Sequence, residues 1–221
     1  ERAAFIIGKY LPELGAELNE YTEKAYSRFD GDPAPLVKLN DGLFVLELWH
    51  GPTHAFKDIA LTLLPYLLTG SKKKLGEKER TLILVATSGD TGKAALEGFR
   101  DVEGTDIIVF YPGDGVSKLQ KLQMMTQSGK NVYVAAIKGN FDDAQTAVKK
   151  IFTDKSVAEK LEEAGYRLSS ANSINFGRLV PQIAYYFSSY LDMVNAGEIN
   201  KGDKVNFCVP SGNFGNILAG Y

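Results

Sequence analysis

In the segment His50-Gly-Pro-Thr-His-Ala-Phe-Lys-Asp58 one lysine stands beside an aromatic ring, after a tight turn and at the start of an apolar run. An amine at such an edge is poorly solvated, and a helix N-terminus beside it adds positive potential. Both effects disfavour the ammonium form, so Lys57 can offer the neutral amine that imine formation with a carbonyl requires. The competing reading is a solvated lysine on a first helical turn. His50 and His54 have the i, i+4 spacing that chelates a metal on a helix. Gly51-Pro52 breaks any helix there, and the chain has no third histidine, so metal chemistry is set aside.

Three polar loops accompany the lysine. Ser211-Gly-Asn-Phe-Gly-Asn216 reads as a strand-to-helix turn with two glycines three apart. Such a turn lets successive backbone N–H groups hold a phosphate without a cationic side chain, although it also serves simply to connect elements. Thr87-Ser-Gly-Asp-Thr-Gly92 has the same form with more hydroxyls, suited to gripping a carboxylate through Ser88, Thr91 and backbone amides. It is neither a P-loop, being two residues short with Ala94 in place of the magnesium-binding hydroxyl, nor a dinucleotide fingerprint. Ser169-Ser-Ala-Asn-Ser-Ile-Asn175, followed by Arg178, is either a capping loop with a solvated arginine or a second anion site of guanidinium plus neutral donors.

The elements that must carry these loops follow from periodicity. Residues 3–10 and 18–29 read as amphipathic helices ended by the breaker Gly31-Asp-Pro-Ala-Pro35. Residues 43–49 alternate like a strand with Leu43, Val45 and Leu48 inward, and a helix runs from the lysine turn to about Thr69. Ser71-Lys-Lys-Lys74 reads as a solvated loop. Continuous apolar runs at 82–86, 107–110, 132–137 and 205–209 predict strands. Helices are expected at 93–100, 117–127, 142–152 and 179–195. This alternation predicts an α/β fold, a parallel sheet covered by helices with right-handed crossovers. Ligands of such sheets lie beyond the C-terminal strand ends, where the three polar loops fall.

With 44% hydrophobic residues, the 221-residue chain has enough apolar material for one large or two small cores. A balance of 25 basic against 27 acidic residues, net charge −2, gives no global field for nucleic acid or an anionic membrane surface. No run is apolar and long enough to span a bilayer, and no signal peptide opens the sequence. Cys208, the single cysteine, reads as a buried strand residue and fits a reducing, cytoplasmic compartment. The sequence starts inside a helix without a methionine and stops just after a glycine-rich turn, so a portion of a longer enzyme is expected.

The lysine segment, Ala86-Thr-Ser-Gly-Asp-Thr-Gly92, Ser170-Ala-Asn-Ser-Ile-Asn175 and Pro210-Ser-Gly-Asn-Phe-Gly-Asn216 occur together in one order from Leu43 onward. In this the chain resembles the threonine synthases, among the pyridoxal-phosphate enzymes of fold type II. The resemblance implies two subdomains. Residues 1–80 would be the N-terminal part of a large cofactor domain, 81–200 a smaller substrate domain, and 201–221 a return to the large one, whose C-terminal part is absent. It implies pyridoxal 5'-phosphate carried on Lys57 beside Phe56, its phosphate bound by Gly212, Asn213, Phe214, Gly215 and Asn216. It further implies a substrate carboxylate on Ser88, Gly89, Asp90, Thr91 and Gly92, and a substrate phosphate near Ser173, Asn175 and Arg178. Many relatives of this fold type carry Asn where Asp90 stands, which leaves the role of Asp90 open. The reaction implied converts O-phospho-L-homoserine and water to L-threonine and phosphate. The rival readings are a phospho-lyase giving a 2-oxo acid, and a non-catalytic descendant that binds the cofactor or an anion. The residue facing the cofactor's ring nitrogen would come from beyond Tyr221, so these 221 residues alone are expected to be inactive or weakly active. The oligomeric state is open.

Overall fold

Two amphipathic helices open the chain, α1 (Arg2–Tyr10) and α2 (Leu18–Tyr26), joined by a 3-10 turn at Pro12–Leu14. Leu18, Thr22 and Ala25 form the buried stripe of α2 at i, i+4 and i+7. The helix stops three residues before the expected end. Phe29 instead turns back onto Tyr26, ring centroids 5.5 Å apart and edge-on. The computed structural model describes residues 1–221 except Ser88 and Ile174.

An unanticipated strand, β1 (Leu36–Asn40), pairs antiparallel with β2 (Leu43–Leu46) around a turn in which Gly42 has φ +79°. The two prolines at 33 and 35 hid β1 from a reading by breakers. Leu43, expected inward, is 50% exposed, because the register shifts between Lys38 and Asn40 and so disturbs the alternation at the hairpin tip. Leu46 and Leu48 join a cluster built on Phe29, Ile59 and Tyr185.

The expected single helix after the lysine turn is two: α3 (Asp58–Leu61) and α4 (Leu64–Leu75). Pro65 has no N–H to offer Leu61 O, so one continuous ladder is impossible. Helix α4 continues through Ser71-Lys-Lys-Lys74, which is not a loop. Three lysines in a last helical turn complement the helix dipole, and Lys72 Nζ also bonds Glu79 O and Thr81 Oγ1.

From here strands and helices alternate: β3 (Arg80–Ala86), α5 (Asp90–Phe99), β4 (Thr105–Pro112), α6 (Lys118–Met125), β5 (Val132–Ile137), α7 (Phe141–Thr153), α8 (Lys155–Glu163) and β6 (Tyr166–Ser169). The sheet order is β5-β4-β3-β6, all parallel. Helix α8 buries nothing and β6 has four residues, so neither left a periodic signal in the sequence. The order has a functional consequence. The chain builds outward from β3 through β4 to β5, then returns to the other side of β3 with β6. The loops after β3 and β6 therefore flank a topological switch point at the C-terminal edge. Ile83, Val85, Leu96, Phe99, Ile107 and Val109 form the fully buried interior.

The last elements are α9 (Phe176–Asn195) and α10 (Gly215–Gly220). Helix α9 begins three residues earlier than expected, and α1, α3 and α10 all pack on it. The strand expected at 205–209 does not form: no described strand pairs with it, and an extended segment without a ladder partner is not a sheet strand. Cys208 is accordingly exposed, not buried. Contacts divide the chain into one unit of residues 1–63 with 173–221 and a second of 64–172. The divisions differ from 80 and 200 because α4 packs on α5 whereas α9 packs on α1 and α3.

Gly92 tests this packing. A Cβ there would lie 2.4 Å from Thr87 Cγ2, 2.8 Å from Met124 Sδ and 3.0 Å from Val109 Cγ1. Gly92→Ala is expected to lower stability by about 2 kcal/mol or more, measured as a shift of the urea midpoint at unchanged slope.

Candidate active site

The lysine turn is built around Asp58. Its side chain is fully buried, with Oδ2 accepting from Thr53 N at 2.7 Å and Oδ1 from Thr53 Oγ1 at 2.6 Å. Gly51 makes room for this clamp, since a Cβ there would fall 2.5 Å from Asp58 Cβ and 2.6 Å from Oδ2. Lys57 is the N-cap of α3, half-buried, with Nζ 4.7 Å from the centroid of the Phe56 ring. The two histidines have protein partners: His50 Nε2 lies 2.7 Å from Glu47 Oε2, and His54 Nδ1 3.1 Å from Trp49 O.

In the same unit, residues 211–216 form an exposed turn into α10. Ser211 Oγ donates to Asn213 O at 2.9 Å, and a Cβ on Gly212 would meet nothing within 4 Å. Gly215 approaches Ser173, whose Cβ would lie 3.6 Å from an added methyl. Asn175 is the N-cap of α9, its Oδ1 accepting from Gly177 N at 2.9 Å, so the capping reading of this loop holds for Asn175. Arg178 is not the solvated arginine of that reading. It is 7% exposed, and burial pushes its guanidinium down to about 10. Lys57, Ser173, Arg178 and the 212–216 turn thus belong to one unit, with α3 and α10 both seated on α9.

The other unit carries the loop after β3. Thr87 is buried, its Oγ1 accepting from Gly89 N at 3.1 Å and Gly92 N at 3.2 Å, which caps the first turn of α5. Asp90 accepts from Gln120 Nε2 at 2.9 Å, while the Gln120 carbonyl completes the capping box of α6 with Ser117. Asp90 therefore serves as a brace between two helix N-termini. Ser88 lies outside the described residues, and Thr91 stands in the first turn of α5.

Sequence reasoning passed over Asp58, Gly51, Thr87, Gln120 and the pair Tyr185–Tyr186. Asp58 adjoins the lysine and its bonds to Thr53 are local, so an Asp five residues after a Thr in a turn was the available signal. The tyrosines gave none, because their partner Asn216 is thirty residues away.

Residues 29–221 match the family model of pyridoxal-phosphate dependent enzymes, and the chain belongs to that family. It is 46% identical over 207 residues to a threonine synthase of Pseudomonas aeruginosa and 41% identical over 231 residues to that of Schizosaccharomyces pombe, covering 93% and 100% of this chain. It is also 43% identical over 212 residues to human threonine synthase-like 1. A pyridoxal-phosphate-bound threonine synthase from Brucella melitensis superposes with a TM-score of 0.83 at 38% identity, covering 99% of this chain. The chain spans 42%, 43% and 28% of the first three proteins and 46% of the fourth.

The clamp predicts its own failure. Asp58→Asn leaves the carboxamide one acceptor for two Thr53 donors, and is expected to cost about 2–3 kcal/mol in urea denaturation. Thr53→Ala should cost less, about 1 kcal/mol, since the backbone bond survives.

Proposed function

We propose that the chain supplies the lysine and anion loops of a threonine synthase, converting O-phospho-L-homoserine and water to L-threonine and phosphate. The observation that carries this reading is the assembly on α9. A lysine turn fixed by a buried carboxylate, a glycine-rich turn and a buried arginine all belong to one compact unit.

The residues present fit pyridoxal phosphate. Gly212 offers an open backbone, Lys57 an amine at a helix N-cap, and Phe56 a ring face beside it. When bound, the cofactor supplies an electron sink for charge developing at an amino acid's α-carbon. Lys57 Nζ would hold the cofactor's aldehyde, and as a free amine it would be the base for the proton on the substrate α-carbon. The backbone of 212–216 holds the cofactor phosphate. The Thr87–Gly92 loop of the other unit is the one that the family resemblance assigns to a substrate carboxylate.

Arg178, with Ser173 and Asn175 near it in sequence, stabilises the phosphate expelled from the γ-carbon. A guanidinium held in low dielectric gains more from an anion than an exposed one, because no water competes for it. A cytoplasmic location fits a single cysteine, Cys208, among these 221 residues.

Borohydride reduction with pyridoxal phosphate should fix one pyridoxyl group, on the peptide bearing Lys57, and Lys57→Ala should lose the label while unfolding at the same urea concentration. Label on another lysine would overturn the assignment. Any weak turnover of O-phospho-L-homoserine should give threonine; a 2-oxo acid would point to a phospho-lyase instead. Inorganic phosphate should raise the Tm of the wild type by several degrees, and that of Arg178→Met by much less.

A further inference from the structure

Asn216 is the last residue of the glycine-rich turn and lies in the first turn of α10. Its Oδ1 receives two tyrosine hydroxyls from adjacent positions on α9. Tyr185 OH hydrogen-bonds it directly, and Tyr186 OH lies 2.8 Å from it and 3.0 Å from Asn216 O. Two phenols on one carboxamide oxygen orient the planar group: Nδ2, with its two hydrogens, must point to the opposite side. Among the described residues nothing accepts from Nδ2.

The tyrosines are themselves fixed. Tyr185 is 4% exposed and packs with Ile59 of α3 and Phe29. The Tyr186 ring lies 5.0 Å from that of Tyr185 and 4.9 Å, edge-on, from Phe207. It presses so closely on Gly220 that a Cβ there would fall 2.8 Å from the ring. Burial pushes both phenols up, so each keeps its proton throughout the working pH range and remains a donor.

We propose that Tyr185 and Tyr186 are positioning residues that lock the Asn216 carboxamide with its N–H₂ facing the anion held by the 212–216 turn. This rests on the reading of that turn as the cofactor-phosphate loop. It adds a side-chain donor of fixed direction to the backbone N–H groups of the turn. Because Tyr185 also packs on Ile59, two residues after Lys57, the same side chain ties the lysine helix to the anion turn.

The test compares binding of pyridoxal phosphate with that of pyridoxal, which lacks the phosphate, followed by absorbance on the 221-residue chain. Tyr185→Phe and Tyr186→Phe should each weaken pyridoxal phosphate by about fivefold, and the double variant by more than tenfold. Pyridoxal affinity should stay within twofold. Asn216→Ala should show the same selective loss, and in that background the tyrosine substitutions should have no further effect. Equal weakening of both ligands, full additivity with Asn216→Ala, or unchanged affinity in the double variant would overturn the proposal. If Tyr185→Phe disturbs folding, Tyr186→Phe, whose ring packing is retained, carries the test alone. Failure of the wild type to bind pyridoxal phosphate overturns the functional reading and this inference together. Normal wild-type binding with indifferent variants overturns only the inference.

Discussion

Asp58 carries its carboxylate into a place without solvent, and the turn from Gly51 to Lys57 is shaped to meet it. A buried carboxylate short of partners costs several kcal/mol, so the Thr53 backbone and hydroxyl are held to one geometry. That geometry leaves no space for a side chain at position 51, and it starts helix α3 with Lys57 at its cap. The backbone that carries Lys57 is thereby positioned by the bonds of its neighbour Asp58. A lysine on a loosely tethered loop would have to be ordered afresh in each encounter, at an entropic cost this turn has already met in folding.

Helix α9 extends that order to the rest of its unit. Its N-terminus carries Ser173, Asn175 and Arg178, its middle presents Tyr185 and Tyr186, and its surface receives α1, α3 and α10. Twenty residues of one rigid element thus reference the lysine turn and the glycine-rich turn to a common frame. The burial of Arg178 fits this arrangement. Burial at the start of a rigid helix lowers the guanidinium's pKa and holds the side chain to one place.

The parallel sheet of the other unit reaches its loop geometry by a different route. There the order β5-β4-β3-β6 opens the C-terminal edge beside β3, and Thr87 folds the following loop onto the start of α5. Gly92 permits the close approach of that loop to β4 and α6. Asp90 and Gln120 then join the starts of α5 and α6. Here local hydrogen bonds, not a buried charge, set the shape.

Much was legible from residues alone. The lysine segment, both glycine turns and the strands at 82–86 and 107–110 announced themselves, because a buried parallel strand has to be apolar on both faces. The edge strand at 132–137 is apolar as well, although none of its residues is fully buried. So did the cofactor family, through motifs whose order is more specific than any one of them. Tertiary structure alone decided the rest. It put the Arg178 guanidinium inside, added β6 on the far side of β3, and left 205–209 unpaired and Cys208 exposed. It also aimed two tyrosines at an asparagine thirty residues onward. Periodicity reports which face of an element is apolar, but not what that face will meet. Pairing, burial of a charge and long-range hydrogen bonds depend on the partner, and the partner is specified only when the chain has folded.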